Sequence, residues 1–104
     1  MLEAIKNLFT GGPAVDLKEV MRKGAVIIDV RSKAEFQSGH IKGAINIPLQ
    51  SLSTGLSKIS KEKPVITCCA SGMRSASAKS ILHSNGFSEV YNGGGWMSLN
   101  NKIR

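Results

Sequence analysis

The sequence predicts an α/β fold: a small, mainly parallel central sheet with helices on both faces. Short β-branched apolar runs are typical of strands buried on both faces, as at 25–30 and 65–68. Segments with helical spacing and capping residues alternate with these runs, which indicates a parallel sheet. With 104 residues the chain can form one core but not two, so we expect a single domain over residues 1–104.

The first elements are predicted from apolar spacing and caps. Leu2–Phe9 has apolar residues at helical spacing before a Gly-Gly-Pro sequence, which predicts a helical extension over residues 1–12. Asp16 is a suitable cap for a second helix that continues to Lys23. A buried strand is then predicted over Ala25–Val30.

The middle of the chain predicts shorter elements. Ser32 and Glu35 have the spacing of a capping box, so a short helix should begin there and end near Gly39. Ala44–Ile47 is a short apolar segment, and Leu49–Ser60 is weakly helical.

The last third predicts a strand at Val65–Cys68, a loop, and a helix from about Ser75 to Asn85. A final strand around Glu89–Tyr91 should run into a glycine cluster and a terminal helical turn. The helix residues expected to face the core are Ala76, Ala78, Ile81 and Leu82; the cluster is Gly93, Gly94 and Gly95, and the terminal turn contains Trp96 and Leu99.

The loop after the third strand is the strongest candidate for chemistry. A cysteine at the end of a buried strand, followed by small residues and a helix, can receive backbone N–H groups on its sulfur. The positive end of the helix dipole also favours a thiolate. We therefore predict that Cys69 is a nucleophile and that the substrate-binding loop consists of Ala70, Ser71, Gly72, Met73, Arg74 and Ser75.

The neighbouring Cys68 is expected to pack in the core, because adjacent strand residues point to opposite faces. A resolving role for Cys68 is the alternative, although a disulfide between neighbours is strained. No metal is expected, since the rest of the chain adds only His40 and His83 as histidines.

The formal net charge of +7 raises the question of an anionic partner. The basic residues are scattered, and the chain has only one Trp, one Tyr and three Phe for stacking, so we expect neither nucleic-acid nor membrane binding. A field that attracts small anions and a merely solvating basic surface both remain open. No segment has the pattern of a signal peptide or a membrane span, which predicts a cytoplasmic protein.

Three ordered motifs resemble the rhodanese family of sulfurtransferases. They are the Asp29–Arg31 turn with Glu35 and Phe36, the stretch Gly39–Pro48, and the loop Cys69–Ser75. The tail with Gly94, Gly95 and Trp96 also fits, so the resemblance runs from about Asp16 to the end.

The resemblance implies a ping-pong reaction without an organic cofactor. Cys69 would take the outer sulfur of thiosulfate or of another small anionic donor as a persulfide. It would then pass that sulfur to cyanide, a thiol or a protein acceptor. Many rhodaneses with this loop have arginine directly after the cysteine, where this chain has Ala70, so persulfide chemistry is expected more firmly than thiosulfate itself.

Two other functions compete with this one. Cysteine phosphatases, and arsenate reductases with them, use a similar cradle, but their signature has five residues between cysteine and arginine, whereas this loop has four. The other competitor is a noncatalytic rhodanese-like module that binds a partner or senses redox state, which predicts an unreactive thiol.

Several nearby residues have structural explanations. Arg74 is expected either to orient the donor or to brace the loop through carbonyl oxygens. Asp29 and Arg31 are expected to form an ion pair beside the site, and His40 to have a capping or other structural role. The three glycines are expected to allow close backbone packing.

Overall fold

A computed structural model describes residues 15–104, and the predicted helix Leu2–Phe9 lies outside them. Nine elements follow one another in the described residues, and strands alternate with helices through most of the chain. In order they are α1 (Leu17–Arg22), β1 (Val26–Asp29), α2 (Lys33–Gln37), β2 (Ile45–Asn46), a 3-10 helix (Leu49–Thr54), β3 (Val65–Cys69), α3 (Met73–Ser84), β4 (Val90–Gly95) and α4 (Trp96–Ile103).

The four strands form one sheet in the order β2, β1, β3, β4, and every neighbouring pair is parallel. The prediction of a parallel α/β sheet is therefore confirmed. In the central pair, Val26 of β1 lies opposite Val65 of β3, and Asp29 lies opposite Cys68. Because the strands are parallel, the carboxyl ends of β1, β3 and β4 meet at one edge of the sheet, where ligands bind in such folds.

Helices cover both faces of this sheet, as predicted. Cys69 belongs to the core on the face covered by the 3-10 helix and α3, whereas Cys68 belongs to the core under α1 and α4. Leu82 of α3 and Leu99 of α4 are fully buried, one on each face. Burial of each leucine contributes about 1.5–3 kcal/mol to folding.

Two predicted helix starts are confirmed by their caps. The Asp16 carboxylate accepts hydrogen bonds from the N–H groups of Lys18 and Glu19 at the start of α1. At the start of α2, Ser32 and Glu35 form the reciprocal capping box, in which each side chain accepts from the other residue's N–H. Each cap satisfies N–H groups that the helix itself leaves free.

Helix α3 differs most from the prediction, because it begins at Met73 rather than near Ser75. Met73, Arg74 and Ser75 are therefore not loop residues but the first turn of the helix. The expectation that Ala76 faces the core is wrong: Ala76 is exposed, and Ser75 occupies the buried position instead. The buried residues of α3 are Ser75, Ala78 and Leu82, a spacing of three and four residues that leaves Ala76 on the solvent side.

The remaining differences concern the bounds of elements. Strand β4 extends through all three glycines, and α4 is a complete helix of eight residues rather than a terminal turn. The helical stretch predicted to reach Ser60 is a 3-10 helix that ends at Thr54.

Candidate active site

Cys69 is the last residue of β3 and stands at the carboxyl edge of the sheet. Its side chain is 1% exposed. Ala70, Ser71 and Gly72 form the short connection to α3, and Gly72 has a φ of 110°, in the left-handed region that favours glycine. This turn places the start of α3 next to the Sγ atom of Cys69.

The start of α3 is directed at the cysteine sulfur. The Gly72 N–H donates to Sγ of Cys69 at 2.9 Å, and the Ser75 N–H approaches the same atom at 3.4 Å. Both N–H groups lie at the positive end of α3, where a negative charge is stabilised. The site is therefore a cradle of backbone amides around one sulfur atom.

Two opposing effects set the pKa of Cys69. Burial is the largest single effect and raises the pKa, because it penalises the thiolate. Hydrogen bonds from Ser75, Gly72 and Ser71 act in the other direction and together outweigh burial. The net result is a pKa below that of an ordinary thiol, so the cradle favours the nucleophilic form.

Ser75 is itself held in place from three sides. The Thr67 hydroxyl of β3 donates to the Ser75 carbonyl oxygen at 2.9 Å. The Ser75 hydroxyl lies 2.6 Å from Oδ1 of Asn92 in β4 and 2.9 Å from the carbonyl oxygen of Gly72. The Gly94 N–H donates to the same Asn92 oxygen at 2.9 Å. Asn92 thus connects the end of β4 to the first turn of α3.

The glycines of β4 allow the loop and strand to approach each other closely. A Cβ atom on Gly95 would lie 2.9 Å from the Ala70 carbonyl oxygen, and one on Gly93 would lie 2.7 Å from the Thr67 carbonyl oxygen. Both distances are shorter than real Cβ contacts. The close backbone packing predicted for the three glycines is confirmed at Gly93 and Gly95. It is wrong for Gly94, where a Cβ atom would meet nothing within 4 Å and the φ of 78° is what favours glycine.

Arg74 contacts a carboxylate on another helix. Its guanidinium binds Glu35 of α2 through two hydrogen bonds, Nη1 to Oε1 at 2.7 Å and Nη2 to Oε2 at 3.0 Å. The Arg74 hydrogen bonds lower the pKa of Glu35 to about 2, and the Ser32 N–H contributes in the same direction. Arg74 was expected either to orient the donor or to brace the loop through carbonyl oxygens. The bidentate pair with Glu35 is neither of these, because it joins α2 to the first turn of α3.

Asp29 and Arg31 form a buried ion pair, with Nη2 of Arg31 2.7 Å from Oδ2 of Asp29. The guanidinium also donates to the Gly39 carbonyl oxygen and lies over the Trp96 ring, 4.7 Å from its centroid. Asp29 is the register partner of Cys68 rather than of Cys69. This pair therefore braces the structure on the Cys68 side of the strand end.

Cys68 is fully buried. Burial, followed by the negative charge of Asp29, raises the pKa of its thiol to about 12. His40 is also occupied structurally: its Nδ1 lies 2.7 Å from the Phe36 carbonyl oxygen, and its ring stacks on the Phe36 ring at 3.7 Å between centroids. These contacts agree with the packing role expected of Cys68 and the structural role expected of His40.

Among residues 15–104, His, Cys, Asp and Glu nowhere gather in a group of three or more that could hold a metal ion. Within the same residues, every helix is too short or too polar to cross a membrane.

Several contacts that shape this site were not predicted from the sequence. Glu35 was assigned to a capping box and to the first rhodanese-like motif, but not to a pair with Arg74. Thr67 was assigned only to an apolar strand, and Asn92 carried no signal beyond its place before the glycines. Trp96 was assigned to the terminal turn and to the family-like tail, but not to a contact with Arg31. Their contacts connect segments far apart in sequence, such as Glu35 and Arg74, which are 39 residues apart.

The amide cradle at the edge of a parallel sheet agrees with the family comparison. The family model for the Rhodanese-like domain matches residues 13–102, which is most of the chain. The protein therefore belongs to the rhodanese-like domain family.

Individual relatives support the same assignment. A protein of Bacillus subtilis strain 168, YqhL, whose name describes it as uncharacterized, is 43% identical over 77% of this chain, which spans 64% of that relative. A protein of Pseudomonas savastanoi named thiosulfate sulfurtransferase GlpE is 33% identical over 84% of this chain and 82% of its own length. The solved structure described as a rhodanese with anions from E. coli is 36% identical, with a TM-score of 0.65 over 71% of this chain and 89% of that one.

Proposed function

We propose that this protein is a sulfurtransferase that carries a sulfane sulfur on Cys69 as a persulfide. The observation that carries the proposal is the amide cradle, in which the N–H groups of Gly72 and Ser75 point at Sγ of Cys69. Such a cradle stabilises the attacking thiolate, and it needs neither a metal nor an organic cofactor to do so.

In the first step, the Cys69 thiolate attacks the outer sulfur of the donor. With thiosulfate, a bond forms between Sγ and that sulfur, the donor's sulfur–sulfur bond breaks, and sulfite leaves with the electron pair. The terminal sulfur then carries the negative charge. The cradle amides remain available to the sulfur atoms during this step, because they belong to a fixed loop and helix end.

In the second step, an acceptor attacks the terminal sulfur of the persulfide. A bond forms between the acceptor and that sulfur, the bond to Sγ breaks, and Cys69 is regenerated as the thiolate. Cyanide, a small thiol or a protein thiol can act as this acceptor. The amides make regeneration favourable because they lower the pKa of the leaving Cys69 thiol.

The donor is a small anionic sulfur compound or a persulfide presented by another thiol. Arg74 is already paired with Glu35, and the residue after Cys69 is the uncharged Ala70. Anion binding at the sulfur therefore rests mainly on the amides, which favours persulfides over the doubly charged thiosulfate. Cys68 and Cys69 are both free thiols, which suits the reducing cytoplasm, and we place the protein there.

The competing functions are disfavoured by the same contacts. A phosphatase or arsenate reductase uses its loop arginine to hold an oxyanion, but here Arg74 makes two hydrogen bonds to Glu35. A noncatalytic module does not need a lowered thiol pKa at Cys69.

Mass spectrometry of two matched variants tests the proposal. Wild-type protein and the Cys68→Ala and Cys69→Ala variants are incubated with thiosulfate or a small persulfide, and each intact protein is weighed. We expect one added sulfur atom on wild type and Cys68→Ala, none on Cys69→Ala, and release of the sulfur by cyanide as thiocyanate.

Sulfur uptake that persists in Cys69→Ala, or a folded wild type that takes up none from either donor, would contradict the proposal. Hydrolysis of an aryl phosphate that depends on Cys69 would favour the phosphatase alternative instead.

A further inference from the structure

Two strongly exposed methionines stand at the sheet edge that holds Cys69. Met73 is 81% exposed and Met97 is 65% exposed. Met73 is the first residue of α3, and Met97 is the second residue of α4. We call these two residues the methionine rim. The segments that carry them are in contact, because a Cβ atom on Gly72 would lie 3.5 Å from the Cα atom of Gly94. Apolar side chains exposed from adjoining segments indicate a binding surface more strongly than isolated ones do.

Both methionines are tied to the cysteine loop through their neighbours in the chain. Met73 follows Gly72, whose N–H donates to Sγ of Cys69. Met97 lies two residues after Gly95, which is the register partner of Cys69 and packs against Ala70. The rim therefore flanks the connection that folds over the sulfur.

The burial of Cys69 determines what the rim can contact. Because Cys69 is 1% exposed, an acceptor thiol must be inserted past the residues around the loop. An ion such as cyanide can do this without touching the methionines, whose side chains project into solvent. A polypeptide segment with a cysteine in its middle would cover both of them while its thiol reached the sulfur. Methionine suits such a contact, because its flexible side chain adapts to different partners.

Charge indicates what kind of segment fits. The chain has a formal charge of +7, and one of its cations, Lys33, is exposed at the start of α2, at the same edge of the sheet. The nearer arginines are paired, Arg31 with Asp29 and Arg74 with Glu35. The net field therefore favours an acidic partner, while the rim itself offers apolar contact.

We propose that the methionine rim docks an acidic polypeptide segment whose cysteine accepts sulfur from Cys69. This inference rests on the proposed function. The acceptor thiolate attacks the terminal sulfur of the Cys69 persulfide, a new sulfur–sulfur bond forms on the acceptor, and the bond to Sγ breaks. Cys69 leaves as the thiolate, and the acceptor becomes a persulfide, so no oxidant or reductant is needed.

Transfer rates from preloaded protein test the proposal. Protein carrying the Cys69 persulfide is mixed with an acidic cysteine peptide, a basic cysteine peptide of the same length, or free cysteine, and the loss of sulfur from the protein is followed by mass. The proteins are wild type, the double variant Met73→Gln/Met97→Gln, and the control Ile45→Thr. Glutamine preserves side-chain length and helix propensity, while Ile45 is an exposed apolar residue on the edge strand β2.

We expect wild type to react with the acidic peptide at least about tenfold faster than with the basic peptide or free cysteine. The double variant should lose about tenfold in rate with the acidic peptide relative to its own rate with free cysteine, because two apolar contacts are removed. Ile45→Thr should behave as wild type with every acceptor.

A basic peptide that reacts as fast as the acidic one, or a double variant whose relative rates match those of wild type, would overturn the proposal. A binding measurement separates this failure from failure of the proposed function. The acidic peptide with serine in place of cysteine, carrying a fluorescent label, should bind wild type more tightly than the double variant, with no sulfur present. Binding without sulfur uptake would overturn only the proposed function, whereas uptake without binding would overturn only the docking surface.

Discussion

Cys68 and Cys69 are neighbours in the chain, yet the structure gives their thiols opposite chemistry. Both side chains are almost completely buried, at 0% and 1% exposed. Burial raises the pKa of Cys68 to about 12, while amide hydrogen bonds outweigh burial at Cys69 and lower its pKa. The two pKa values are therefore separated by the hydrogen bonds that reach Cys69 and by the negative charge of Asp29 beside Cys68.

The pleat of β3 produces this difference. Successive strand residues point to opposite faces, so Cys68 enters the core under α1 and α4 while Cys69 faces the start of α3. In residues 15–104, N–H groups from a helix start donate to the sulfur of Cys69 and not to that of Cys68. One position along β3 thus separates a buried thiol with a raised pKa from a buried thiol with a lowered pKa.

Replacing Gly93 or Gly95 of β4 by alanine should disturb the Cys68 side and the Cys69 side of the sheet separately. These variants are expected to have the largest effects. Gly93→Ala places a Cβ atom within 2.8 Å of Ile66 and Leu99 on the Cys68 side, besides its contact with Thr67. Such overpacking should lower the free energy of unfolding by about 1–3 kcal/mol. Gly95→Ala places its Cβ atom against Ala70, in the cysteine loop, and should displace the loop and raise the pKa of Cys69.

Denaturant unfolding and the pH dependence of alkylation measure these two outcomes. Gly43→Ala is the control for replacing a glycine without creating a clash, because its Cβ atom would meet nothing within 4 Å. Its φ of 86° still costs some backbone strain. If Gly95→Ala displaced the loop and yet left the pKa of Cys69 unchanged, the cradle would not be the cause of the low pKa.

Loss of Asn92 should have an intermediate effect that is confined to the Cys69 side. Asn92→Ala removes the acceptor 2.6 Å from the Ser75 hydroxyl and frees the N–H of Gly94. We expect the pKa of Cys69 to rise and sulfur transfer to slow by up to about tenfold, in line with one hydrogen bond of about 0.5–1.5 kcal/mol. Asn101→Ala, an exposed change on α4, is the matched control.

The measurements are the pH profile of alkylation and the sulfur-transfer rate. A slower rate with an unaltered profile would mean that Asn92 does not act through the thiolate.

Removing the Glu35 carboxylate should have the smallest effect, and one that depends on pH. The Glu35 pKa of about 2 lies below the ordinary value for a carboxyl group. The Arg74 pair therefore stabilises the fold above the pKa of the unfolded carboxyl, and this stabilisation is lost as the pH falls towards 2. We expect Glu35→Gln to lower the melting temperature slightly near neutral pH and to match wild type at the acid end.

Glutamine can form the capping box at the start of α2, so the variant removes the carboxylate charge without removing the cap. Glu62→Gln, for which residues 15–104 include no ion pair, is the control for a lost carboxylate. A difference from wild type that stayed constant from neutral to acid pH would show that the pair does not stabilise the fold.

The sequence predicted those features that depend on local patterns. The buried strand at 65–68, the capping box at Ser32 and the direction of Cys69 away from Cys68 follow from periodicity and caps. The start of α3 was predicted two residues late because Gly72 caps it without a side-chain hydrogen bond, which leaves little signal in the sequence. Ser75 then appeared to be a loop residue rather than a buried one.

The parts of the site that depend on tertiary packing were not predictable in this way. Glu35 and Arg74 meet only because the sheet brings the starts of α2 and α3 together. Asn92 contacts Ser75 because β4 lies beside β3. A single sequence identifies such polar residues, but their pairing requires the register of strands that are distant along the chain.

Titration of the two thiols is the most direct test of the claim that Cys68 and Cys69 have opposite pKa shifts. Thiolate absorbance in the ultraviolet is followed against pH in Cys68→Ala, which keeps Cys69, and in Cys69→Ala, which keeps Cys68. The structure predicts that Cys69 ionises at a pH below that of an ordinary thiol, while Cys68 remains protonated until about pH 12 or until the protein unfolds. Two folded variants that titrate at the same pH, or a Cys69 that ionises no earlier than a free cysteine, would contradict the account.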